Sequence, residues 1–136
     1  MPQAVVNTKS SILMGVREAC NISPEDDGFD SKLIPLINAQ FTTSHHRLGV
    51  GFNGFRIHDA SAVWSDWLGS AEDKLDAAKT WLGLNVYKIF DPPENGSVMK
   101  ALEDTIQELE WTLTSKSGLE GYAKTLFPTE FVDDDD

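Results

Sequence analysis

"NVYKIFDPPENGSVMKALEDTIQELEWTL", residues 85–113, decides the fold. An apolar pattern of helical period runs into Asp91-Pro92-Pro93, stops, and resumes at once as a second pattern of the same period. Neither proline can donate a backbone hydrogen bond, and the residue before a proline is pushed out of the helical region. The first helix therefore ends there, and Asn95 or Ser97 can cap the next. Working outward, Leu75, Ala78, Leu82, Val86, Ile89 and Phe90 form the stripe of the helix before the elbow, over about 71–90. Val98, Met99, Leu102, Ile106, Leu109 and Leu113 form the stripe of the helix after it, over about 95–114, with Glu103, Asp104, Glu108 and Glu110 off the stripe. The expectation is an antiparallel helix hairpin across the elbow Asp91, Pro92, Pro93.

Upstream, Thr8 or Ser10 can cap a helix running to about Asn21, with Ile12, Leu13, Val16, Ala19 and Cys20 on one side. Ser23 to Gly28 reads as a turn. Asp30 or Ser31 can cap a second helix, with Leu33, Ile34, Ile37, Phe41 and Leu48 on its apolar side, Pro35 tolerated in the first turn, and an end near Gly49. Gly49, Gly51 and Gly54 then forbid a long regular element, and Phe52, Phe55 and Ile57 suggest a pinned loop or a short extended piece. "SAVWSDWLG" from Ser61 places Trp64, Trp67 and Leu68 on one helical face before Gly69. No strand pattern of comparable length exists. The fold class is all-α: a small helical bundle with the hairpin, and an extended C-terminal arm.

That arm is a second unit of organisation: 1–114 reads as the helical domain and 115–136 as the arm. It has glycines and a proline but no sustained period, and it carries Tyr122, Leu126, Phe127 and Phe131 before the acidic end Asp133–Asp136. A solvating tail is poor in such side chains, so these four mark an arm that docks elsewhere; the alternative is a frayed terminus.

Charge and composition exclude several functions. Twenty-two acidic against eleven basic side chains give a net charge of -11, which opposes any role of gripping nucleic acid phosphates. The single cysteine, Cys20, forms no internal disulfide and reads as buried packing. The first residues lack a signal-peptide pattern and no apolar run is long enough to cross a membrane, so a soluble protein made inside the cell is expected. His45 and His46 point about 100° apart on a helix and cannot readily chelate one metal, and His58-Asp59 adds no ligand at zinc spacing. No nucleophile elbow or phosphate-binding glycine motif is present. The carboxylates of "ALEDTIQELE" read as a solvated face. Trp64, Trp67, Trp81 and Trp111 lack the positive groove of a stacking platform and read as core or subunit-interface packing. No enzyme, cofactor or metal site is expected.

Three blocks carry a resemblance: "FDSKLIPLINAQFTTSHHRLGVG" (29–51), "WSDWLG" (64–69) and "YKIFDPPENGSVMKALEDTIQELEWTL" (87–113). Spread over residues 29–113, about two thirds of the chain, they resemble the small head-tail connector, or adaptor, proteins of tailed bacteriophages. The resemblance implies a non-enzymatic helical protein of the virion neck, made in the bacterial cytoplasm. It implies assembly into a homo-oligomeric ring, commonly of twelve copies, between the portal protein and a stopper or tail-completion protein. DNA would pass through the lumen without specific binding, and no membrane is involved. The elbow would stiffen a wedge flanked by neighbouring subunits, and the arm would dock on the portal. A small host adaptor binding proteins through a tryptophan-rich surface is the main alternative. An acidic DNA mimic and a histidine-dependent metal hydrolase are weaker ones.

Overall fold

The computed structural model describes residues 9–69 and 74–114. Five α-helices lie among them: α1 (Ile12–Ala19), α2 (Asp30–Thr43), α3 (Trp64–Leu68), α4 (Leu75–Phe90) and α5 (Gly96–Leu113). The only extended pairing among the described residues is an isolated antiparallel bridge between Ser11 and Val63. It joins the starts of α1 and α3 through Ile12 N–H to Ala62 O and Trp64 N–H to Ser10 O. The molecule is an all-α bundle. Residues 71–73 of the expected fourth helix and all of 115–136 fall outside the described residues.

Local chemistry explains where each helix begins and ends. The cap of α1 is Ser11, one residue beyond the nearer of the two expected candidates; its hydroxyl accepts Met14 N–H at 3.2 Å. Asn21, at φ 63°, closes the helix, with Ile22 N–H bonded to Arg17 O and Asn21 N–H to Glu18 O, the pairing of a left-handed C-terminal cap. Asp30 is the first residue of α2, not its cap, which is Phe29. The Asp30 carboxylate is engaged by Arg17, with Nε to Oδ1 at 3.1 Å and Nη2 to Oδ2 at 2.7 Å, while Nη1 donates to Pro24 O. Arg17, only 5 % exposed, thereby ties α1, the 23–28 turn and α2 together. Pro35 lies in the second turn of α2, not the first, so the helix bond to Ser31 O is forgone.

After Thr43 the chain widens into a π-helical turn, Ser44–Leu48, closed by Gly49 at φ 68°. The glycine-rich stretch that follows is a pinned loop. Asn38, buried on α2, grips Ile57 from both sides: Nδ2 donates to Ile57 O at 3.0 Å and Oδ1 accepts Ile57 N–H at 2.8 Å. The carboxamide copies a strand's hydrogen bonds and holds the loop against the bundle. Gly51 has φ 85°, and a Cβ there would stand 2.1 Å from Trp67 Nε1, so the indole occupies space that only glycine leaves. Trp67 packs in turn on Phe41, at 5.0 Å between ring centroids, and Phe41 on Phe55, at 4.9 Å.

α4 is the centre of the bundle and packs on α1, α2 and α5. Leu75, Ala78, Trp81, Leu82, Gly83 and Val86 are buried on it. A Cβ on Gly83 would meet Ala19 Cβ at 2.7 Å, so this glycine permits the close approach of α1. Ile89 departs from the expected stripe and is 54 % exposed. The elbow ends α4, and Asn95 Oδ1 caps α5 by accepting Ser97 N–H at 2.7 Å and Val98 N–H at 3.1 Å. The pairs Lys88 with Glu103, Trp81 with Glu110 and Lys74 with Leu113 O step down one helix as they step up the other. The hairpin is antiparallel. Its second helix is covered far less than its pattern predicts: only Ile106 and Leu113 are buried, and Val98 is 53 % exposed. Among the described helices α4 is its principal support, and one flank cannot shield a stripe that broad.

Two glycine substitutions separate backbone strain from the tryptophan contact. Gly54, at φ 78° with nothing near its would-be Cβ, should lose about 1–2 kcal/mol as Gly54→Ala, the left-handed penalty alone. Gly51→Ala should lose a further ~1–3 kcal/mol from overpacking against Trp67. Urea denaturation of both variants measures the difference; equal losses would mean that the indole yields freely.

Candidate interaction surface

The groups with chemical potential are committed to structure. His45 Nδ1 lies 3.3 Å from Gly51 O, and the His45 and His46 rings meet edge-on at 5.2 Å. No group of three His, Cys, Asp or Glu side chains among the described residues is placed to hold a metal ion. Asp59 accepts the Ser61 N–H and hydroxyl, bonds that hold its carboxyl below the usual range and make it a turn former. Burial pushes the Cys20 thiol up to about 11, with a smaller contribution from the Asp91 charge, leaving it protonated at neutral pH. Of the α5 carboxylates, Glu103 pairs with Lys88, Asp104 with Lys100, and Glu110 with Arg47 and the Trp81 indole. Of the loop glycines, Gly51 makes room for Trp67.

The tryptophans divide sharply. Trp64, Trp67 and Trp81 are each 1 % exposed, whereas Trp111 is 51 % exposed. Trp64 lies 6.0 Å from Trp67 between ring centroids, with the Lys79 ammonium 5.7 Å from its ring. A tryptophan-rich surface is therefore absent among the described residues. Asp91 and Pro92 of the elbow are exposed and Pro93 is half-buried. Tyr122, Leu126, Phe127 and Phe131 lie outside the described residues.

What remains at the surface is organised by the two ends of the hairpin, separated by α4 at about 24 Å long. At the elbow end Phe29, 43 % exposed, packs edge-on against Phe90 at 5.7 Å, beside the exposed Ile89 on the last turn of α4. Val98 is exposed on the first turn of α5. Glu25, Asp26, Asp27, Asp91 and Glu94, all exposed, surround this end with negative charge. At the opposite end Phe52 is 57 % exposed and touches the backbone at Gly69; Trp111 is exposed on the last turn of α5. Here Gly51, Phe52, Trp67, Leu68 and Lys74 line a cleft of about 230 Å³. A second hollow, of about 150 Å³, brings His45, His46 and Arg56 around Asn53 and Phe55. The signal for the two ends was present in the sequence as the acidic 25–27 turn and the acid-free stretch 44–58, but assigning them to opposite ends required the packing.

Exposed apolar side chains therefore lie at both ends of the hairpin: Phe29, Ile89 and Val98 at one, Phe52 and Trp111 at the other. The family model described as phage connector protein matches residues 12–120, which takes in every helix described. No curated protein and no solved structure matches the chain.

Cys20 provides a direct check on the buried site. In the native protein at pH 8 it should react with a disulfide reagent at least about a hundredfold more slowly than after unfolding in urea, since both burial and the raised pKa suppress the thiolate. Equal rates would place the thiol at the surface.

Proposed function

This chain belongs to the phage connector protein family, and from that premise we propose that it is the structural head-tail adaptor of a tailed bacteriophage. In this proposal, copies of the chain close into a ring, commonly of twelve, that joins the portal protein to a stopper or tail-completion protein. The observation that carries it is the family match over the whole helical body, from α1 through α5. The surface supports it. In a closed ring each subunit presents one face to one neighbour and a different face to the other. A chain whose α5 stripe is only partly covered, and which leaves Val98 and Trp111 on α5 and Ile89 on α4 each about half exposed, has apolar surface that a neighbour would bury.

The parts then take roles. The elbow Asp91-Pro92-Pro93 stiffens the wedge, because it joins two helices through residues with little backbone freedom. The net charge of -11 suits a conduit wall that repels the DNA backbone, so that DNA passes without being held. Tyr122, Leu126, Phe127 and Phe131 supply the apolar anchors of an arm that docks on the portal. The protein is thus a component of the virion neck with no catalytic duty, made in the host bacterial cytoplasm. Among the described residues no helix is long and apolar enough to cross a membrane.

Light scattering and negative-stain microscopy of the purified chain, alone and mixed with the portal of the same phage, test the proposal. A ring, either free or added to the portal, is expected. A small species that ignores the portal would overturn it. Deleting residues 118–136 should leave a helical protein, by circular dichroism, that no longer joins portals; undiminished portal binding would remove the arm from that role.

A further inference from the structure

The end of the bundle opposite the elbow carries two features that no role above uses. One is the cleft between Gly51, Phe52 and Trp67, an apolar hollow with the exposed Phe52 ring at its edge and Lys74 on its wall. The other is a stretch with two arginines and no acidic side chain. Residues 44–58 contain all three histidines of the chain, together with Arg47 and Arg56, and not one acidic side chain. The chain as a whole has twice as many acidic as basic residues, so this basic island is an exception that the fold gathers in one place. His45, His46 and Arg56 line one hollow, and Arg47 stands beside them, 63 % exposed along its side chain even while paired with Glu110.

The same chain contains a segment of complementary composition that begins at this end. Leu113 O is 3.4 Å from Lys74 Nζ, so the chain leaves α5 at the wall of the cleft. The residues that follow, 115–136, carry Tyr122, Leu126, Phe127 and Phe131, then four consecutive aspartates. From Thr114 to Phe127 an extended chain spans about 40 Å, well beyond the distance any point of this end requires. Linkage to the bundle also gives the segment an effective concentration in the millimolar range for a short tether, so individually weak contacts suffice.

We propose that, before any partner is met, residues 118–136 fold back on their own subunit: aromatic side chains from the set Tyr122, Phe127 and Phe131 enter the Phe52–Trp67 cleft, and Asp133–Asp136 lie against the basic island of His45, His46, Arg47 and Arg56. The bundle then shields the arm's apolar residues from water, and the aspartates meet the arginines of the acid-free stretch. This contact lies within one chain and goes beyond the portal-joining role, which stands or falls separately.

Hydrogen exchange of the amides of Val50 to Phe55, followed by mass spectrometry on the full-length protein, tests it. Three variants leave the core untouched: Phe127→Ser with Phe131→Ser on the arm, Asp133–Asp136 all replaced by Asn, and Phe52→Asp on the cleft rim. Each is expected to speed exchange in this loop, on the order of tenfold for the arm pair, and raising salt from about 0.05 to about 0.5 M should do so in the parent protein but hardly in the Asn variant. Combining Phe52→Asp with the arm pair should add little, because both remove one contact. Unchanged exchange in all variants, or fully additive effects, would overturn the proposal. Protection that fades on dilution would overturn it too, by assigning the cleft to the arm of a second copy.

Discussion

The Glu110 carboxylate sets the geometry from which most of the molecule follows. One oxygen accepts the indole N–H of Trp81 at 3.0 Å and the other takes Arg47 at 2.7 Å, so three elements, α4, α5 and the π-helical turn, meet on a single side chain. A largely buried carboxylate is costly unless its oxygens are bonded, and here both are, one to a charged partner. This matters because α5 buries so little. With only Ile106 and Leu113 fully buried and Leu102 and Leu109 packed partly against the core, the polar links at Trp81, Lys88 and Lys74 add to the apolar contacts in setting its register on α4. The same link ties the π-helical turn to the C-terminal end of α5, at the end of the bundle where α2 and α5 both finish.

The opposite end is held by different means. Arg17 binds Asp30 through two parallel hydrogen bonds and reaches Pro24 O, so the charge that α1 buries is matched on α2. Bidentate pairing of this kind keeps a buried guanidinium satisfied, and the Asp30 bond raises the pKa of Arg17 above its ordinary value. The neighbouring connection carries two prolines after Asp91, whose φ angles are fixed by their rings. Between these ends α4 transmits position: its Gly83 lets α1 approach closely, and Trp81 and Val86 are buried on the same helix. The loop end is held chiefly by Asn38 and by the Trp67 indole in the space at Gly51.

Much of this was legible in the sequence because it depends on period and punctuation. The proline elbow, the hairpin, the termination at Gly49 and the short tryptophan helix each follow from a local rule about hydrogen bonds or φ, and the structure contains them all. What was not legible depends on partners far apart in the chain. Nothing in the pattern distinguishes Asn38 from any other helical polar residue, yet its contact with Ile57 pins the loop. The regular α5 stripe does not reveal its shallow burial, because period reports which side is apolar, not how much of it a neighbour covers. Trp64, Trp67, Trp81 and Trp111 are alike in sequence, and only the packing separates three core residues from one exposed on the last turn of α5. The caps shifted by a residue, since Ser10 and Ser11 both offer a hydroxyl and the bridge to Val63 decides between them.

The uneven coverage of α5 also bears on why a chain of this family carries the charge it does. In the ring proposed above, a subunit keeps apolar flanks available for its neighbours and yet must stay dispersed beforehand, and a net charge of -11 supplies mutual repulsion between free copies. Repulsion spread evenly would also oppose assembly. Here it is uneven: the acidic 25–27 turn and the residues Asp91 and Glu94 lie at one end, and the acid-free stretch 44–58 at the other. In the proposed ring, burial of the partly covered α5 stripe against a neighbour is what works against the repulsion that remains, and salt screens that repulsion.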